Sequence, residues 1–125
     1  MDYKDAIAFV IDYVEKNDHI ISCALDSIGQ KELKRFFYND FFNIVSSFLE
    51  DAQKQFHVSL EDEYKAFLTD FFTEAFAGIL IEWITKKDTI NKDKLILHLS
   101  ATIKNSLYGI FQVSPFLLTQ EPPQM

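Results

Sequence analysis

YKAFLTDFFTEAFAGILIEWITKK, residues 64–87, carries apolar side chains at helical spacing along nearly its whole length. Tyr64, Leu68, Phe71, Phe72, Ala75, Phe76, Ile79, Leu80, Trp83 and Ile84 recur every three or four residues, and Phe67 and Ile81 widen the arc. So broad an arc is more than one packed face needs. Ala75, Ala77 and Gly78 fall together in its middle, where little side-chain bulk lets another backbone approach. A helical Gly costs about 1 kcal/mol against Ala unless packing offsets it. The expectation is a helix packed inward on one side and against a second copy of the chain on the other; a helix central to its own bundle is the competing reading. Ser59 with Asp62 three residues later fits a capping pattern, Glu61 to Glu63 put negative charge in the first turn, and Lys86 and Lys87 put positive charge in the last. The predicted helix runs from about 59 to 87.

Upstream, Tyr3, Ile7, Val10, Ile11 and Val14 form a stripe that predicts a helix to about Lys16, with Phe9 and Tyr13 at its flank and Asp2 as its cap. Asn17 and Asp18 interrupt the pattern. A short helix over 20–28 follows, closed by Gly29. Leu33, Phe37, Phe41, Ile44, Val45, Phe48, Ala52 and Phe56 then mark a long aromatic helix over 31–56, in which Asn39 and Asp40 are weak helix formers. Downstream, Asn91 is the best cap for a last helix striped by Leu95, Ile96, Leu99, Ile103, Leu107 and Ile110. Joined by a short loop, the last two helices are expected side by side and antiparallel. Pro115, Pro122 and Pro123 end regular structure. The fold class read from these elements is all-α: an antiparallel bundle of about five helices over residues 1–113, with a disordered tail over 114–125.

Composition narrows the function. Thirteen Phe, five Tyr and one Trp against three Gly and three Pro suit long helices with an aromatic interior. A net charge of −7 without any basic stripe argues against nucleic-acid contact by these residues, because phosphate binding runs on clustered Lys and Arg. The longest uncharged apolar run, Ala75 to Ile81, is far short of the roughly 20 residues of a membrane span. Charges at Asp2, Lys4, Asp5 and Asp12 break any signal-peptide core. Cys23, the single cysteine, permits no internal disulfide and reads as a buried structural thiol in a reducing cytoplasm. His19, His57 and His98 lie too far apart for a local metal motif, and no phosphate loop, nucleophile elbow or zinc-protease signature is present. Neither catalytic residues, a metal nor a cofactor is expected.

FFTEAFAGILIEWITKKDTINKDKLILHLSATI, residues 71–103, places an aromatic-rich helix with an Ala-Gly patch and a Trp before a polar turn and a final Leu- and Ile-rich helix. IDYVEKNDHIISCALDSIGQKELKRFFYNDFFNIVSSFLE, residues 11–50, runs from an asparagine through a short helix into a long aromatic one. Together these resemble the C-terminal regulatory region of the TetR family of transcriptional regulators. The resemblance implies a homodimer whose interface is a four-helix bundle of the last two helices of each subunit. It also implies an effector pocket among the other helices and a helix-turn-helix unit, absent from these residues, that reads DNA.

On that footing the expected dimer face comprises Phe71, Ala75, Gly78, Ile79, Glu82, Trp83, Leu99, Ile103 and Leu107, with Glu82 at its rim. The expected pocket, for a small hydrophobic or aromatic effector, comprises Phe9, Tyr13, Phe37, Tyr38, Phe41, Phe48 and Phe72; a filled aromatic core is the competing reading. The rival function is a free-standing helical interaction module or hydrophobic-ligand carrier, and the input to a regulator could equally be a protein.

Overall fold

A computed structural model describes residues 2–86, 89–113 and 118–120. Helix α1 (Tyr3–Lys16) begins where Asp2 accepts hydrogen bonds from the backbone N–H groups of Lys4 and Asp5, at 2.9 and 3.3 Å. It buries Ile7, Ile11 and Val14 of the predicted stripe, and leaves Tyr3 and Val10 half-buried. Helix α2 (Asp18–Phe56) follows after Asn17 and contains one break. Gly29 sits at φ 81°, ψ 170°, a region open essentially to glycine alone, and the chain re-enters helix at once. The short and long helices read from the sequence are therefore two arms of one element, and the helix count is four rather than five. Asn39 and Asp40 leave the backbone helical.

At the end of α2, His57 adopts a left-handed conformation (φ 57°, ψ 34°) and turns the chain into strand β1 (Val58–Leu60). Its backbone N–H closes the helix on the Gln53 carbonyl. The Gln53 side chain then accepts the Leu60 N–H at 2.8 Å, and buried Leu60 pins the turn to the core. Strand β1 pairs antiparallel with β2 (Leu118–Gln120), Ser59 opposite Thr119. Two expectations change here. Ser59 belongs to a strand and caps nothing: helix α3 (Asp62–Thr85) starts at Glu61, which makes no side-chain capping bond. Part of the tail expected to lack structure is that second strand; 114–117 and 121–125 lie outside the described residues.

Helix α4 (Lys92–Val113) starts under the Asn91 side chain, which accepts the Lys94 N–H at 3.0 Å. The closest backbone approaches pair α2 with α3 and α1 with α4. Phe41 meets Phe76 edge-on at 5.8 Å across the first pair, where Lys34–Glu74 (2.8 Å), Lys65–Glu50 and Tyr38–Asp70 tie the rims. Lys92 ties the second pair, reaching Asp12 at 2.7 Å and Glu15 at 3.1 Å. Helices α3 and α4, expected side by side, line a shallow groove of about 420 Å³ between them, Phe67, Leu68, Phe71 and Phe72 facing Asn105, Ser106, Gly109 and Ile110. Their buried arcs point at α2 and α1.

The core includes two polar side chains that the apolar reading of α3 passed over. Thr69 and Thr73 are buried because their hydroxyls donate back to the carbonyls of Lys65 and Thr69, at 2.8 and 2.5 Å. Ser100 does the same to Ile96 at 2.7 Å. Among the described residues no buried side-chain nitrogen or oxygen is left without a partner.

Candidate functional site

Between α1 and α2 lies an open groove of about 500 Å³, lined by Ala6, Phe9, Val10 and Tyr13 from the first helix and Phe37, Asp40, Asn43 and Ile44 from the second. Its geometry follows from helical phase. The α1 residues recur at i, i+3, i+4 and i+7, beside the core stripe of Ile7, Ile11 and Val14, so they form the shoulder of that stripe. On α2, Phe37 is buried and forms the floor, and Asp40, Asn43 and Ile44 rise from it on adjoining turns. Ala6 contributes the space that a longer side chain would fill. Phe9 leaves 73 % of its surface in water, and Tyr13 is also exposed.

Of the pocket residues expected from sequence, the groove brings together Phe9, Tyr13 and Phe37. Phe41, Phe48 and Phe72 are buried in the packed core, where Phe48 meets Tyr3 at 4.7 Å and Phe72 meets Phe76 at 6.3 Å; they fill space and line no groove between α1 and α2. Tyr38 lies elsewhere, in a cleft with Lys31, Lys34, Arg35 and Glu74, and its hydroxyl donates to Asp70. That bond, then burial and the negative charge of Asp70 and Glu74, pushes its phenol up to about 12.

Asp40 and Asn43 were not legible as lining residues. Their three- and six-residue offsets from Phe37 were visible, but which helix would face them was not.

A second cavity of about 630 Å³ lies near the start of α1, lined by Asp2, Tyr3, Lys4, Gln55, Leu97, Ser100, Ala101, Lys104 and Tyr108. Of its polar groups, Asp2 caps α1, Ser100 bonds its own helix, and the Tyr108 hydroxyl accepts from Gln55 at 3.2 Å, while the ammonium groups of Lys4 and Lys104 make no ion pair among the described residues. Burial, then Tyr108 and Asp51, pushes the Tyr3 phenol up. Cys23 is exposed, against the expectation of a buried thiol, because the first arm of α2 buries only Ile21. Among the described residues no group of three or more His, Cys, Asp or Glu is placed to hold a metal, and no helix is long and apolar enough to cross a membrane.

The proposed dimer face divides. Trp83 is only 2 % exposed, and Leu99, Ile103 and Leu107 are buried with it in the core of the single chain, so none presents a surface to a second copy. The reason is the direction of the arcs: these four look into the bundle. Phe71 is 54 % exposed, and Ile79 and Glu82 are also exposed, while Ala75 and Gly78 are half-buried. Phe67, which the sequence reading put at the edge of the arc, is 57 % exposed and stacks between Tyr64 and Phe71, with ring centroids 6.2 and 5.8 Å away. A Cβ placed on Gly78 would meet only the Lys34 side chain, at 3.9 Å, so nothing within the chain requires glycine there.

The profile of a family described as "Transcriptional regulator C-terminal region", of the TetR type, matches residues 2–105, a span that takes in α1, α2, β1, α3 and most of α4. The chain belongs to this family. No curated protein and no solved structure matches it. Membership makes these residues a TetR-type regulatory region of a transcriptional regulator, a non-enzymatic kind of domain.

Proposed function

We propose that this TetR-type region senses a small, largely apolar effector in the groove between α1 and α2 and joins two copies of the regulator through α3. The observation that supports the effector site most is the combination of an aromatic lining with three polar side chains, Tyr13, Asp40 and Asn43, that have no hydrogen-bond or ionic partner among the described residues. Apolar walls with a few placed polar groups are the usual composition of a small-molecule site.

The dimer face rests on Phe67, Phe71, Ala75, Gly78, Ile79 and Glu82, with Asn105, Ser106 and Gly109 of α4 alongside. In this reading DNA contacts come from a helix-turn-helix unit outside these residues. An effector wedged between α1 and α2 favours one setting of the two helices, and α3, packed on α2, carries that setting to the partner copy as a shift between pre-existing arrangements. A thermal-shift screen of uncharged and charged aromatic compounds tests the effector site. A binder should raise the melting temperature of the wild type. Ala6→Trp, or Asn43→Trp at an exposed position, fills the groove and should remove that rise while circular dichroism stays helical. A rise that survives both fillings places the site elsewhere and ends this reading.

A further inference from the structure

The same groove narrows the chemistry of its ligand. We propose that it takes an organic cation with a bulky aromatic body, held by the Asp40 carboxylate. The inference rests on the reading of the groove as the effector site and goes beyond it in assigning charge.

Among the eight lining residues Asp40 is the only charged one, and no Lys, Arg or His stands with it. It has no ion pair and no hydrogen bond among the described residues, whereas Lys34, Lys65 and Lys92 are all taken up by carboxylates elsewhere. On the opposite wall stand Phe9 and Tyr13, and Phe37 forms the floor. Aromatic faces carry the negative end of a ring quadrupole and attract cations, and they repel anions for the same reason. The Asp40 carboxylate therefore gives the groove of about 500 Å³ a preference of sign, and a cation seated over the face of Phe9, Tyr13 or Phe37 would add to it. The chain's net charge of −7 adds a field of the same preference. Asn43 and the Tyr13 hydroxyl remain to orient polar substituents.

Tetraphenylphosphonium and tetraphenylborate are matched in shape and opposite in charge, and calorimetry on the full chain at moderate salt compares them directly. The expected result is a single site with the phosphonium at least about tenfold tighter than the borate. Asp40→Asn should remove most of that preference, while Glu63→Gln, which changes net charge equally from an exposed position outside the groove, should leave it. An Asp40→Asn variant that binds the phosphonium as tightly as wild type overturns the charge assignment, as does equal binding of the two ions. If neither ion binds but an uncharged compound does, and Asn43→Trp abolishes that binding, the cation inference falls and the groove reading stands. If phosphonium binding persists in both Ala6→Trp and Asn43→Trp, the ion sits elsewhere and both fall together.

Discussion

Gly29 and Tyr38 hold, respectively, a conformation and a protonation state that ordinary positions do not. Gly29 joins the arms of α2 at φ 81°, ψ 170°, with nothing within 4 Å of where a Cβ would stand. The cost of replacing it is therefore backbone strain and not crowding. Gly29→Ala should lower stability by about 1–3 kcal/mol, read as a lower urea midpoint at unchanged slope. Tyr38 supplies a pH-dependent contribution. Its phenol ionises near 10.0 in an unfolded chain and at about 12 in the fold, because its proton is shared with Asp70. Between those values the folded state binds more protons than the unfolded one, so unfolding becomes easier as pH rises. The contribution is complete below pH 10.0 and is lost towards 12. Urea midpoints of wild type and Tyr38→Phe should therefore converge across that interval; parallel curves would remove the Asp70 bond from the account.

At the scale of the element, α3 exposes one apolar stripe and buries another, and a sequence reading distinguishes them poorly. Periodicity told which residues share a face. It did not tell which face looks into the chain and which away from it, because both are apolar: Trp83 and Phe71 belong to the same wide arc, yet one is enclosed and the other is not. The core stripes of α1 and of the long arm of α2 were more legible, although Phe9 and Tyr13 on the one and Phe36 and Phe42 on the other are apolar or aromatic and stay exposed. Strand β2 was illegible because three residues acquire strand geometry only by pairing with Val58–Leu60, some 60 positions upstream. Asp40 was read as a weak helix former, and its place in a groove needed the position of α1.

The division of α3 predicts two separable behaviours. Phe71→Arg should abolish the dimer in light scattering and leave the helical spectrum intact, since Phe71 does not belong to the core. Trp83 fluorescence should stay blue on dilution from dimer to monomer, because its own chain encloses it; a red shift on dilution would return Trp83 to the interface.

For the whole molecule, the groove and the proposed dimer face lie on different helices that meet through α2. Helix α1 packs on α2 and α4, and α3 packs on α2, so a ligand that changes the spacing of α1 and α2 acts on the helix against which α3, with the proposed dimer face, is packed. If the dimer is the folded form, unfolding releases two chains and the melting temperature must rise with protein concentration. Wild type should show that rise, and Phe71→Arg should melt at a lower temperature that does not change with concentration. Coupling adds a reciprocal requirement. A ligand that binds the dimer more tightly than the monomer must strengthen dimerisation by the square of that affinity ratio, one factor for each of the two grooves, and one that binds the monomer more tightly must weaken it likewise. Dilution measured by light scattering with and without a saturating groove ligand should therefore shift the dissociation constant. The affinity of that ligand for Phe71→Arg should differ from wild type by the square root of that shift. Equal ligand affinities in the two forms would mean that α2 transmits nothing, and the groove and the α3 face would then be independent sites on one bundle.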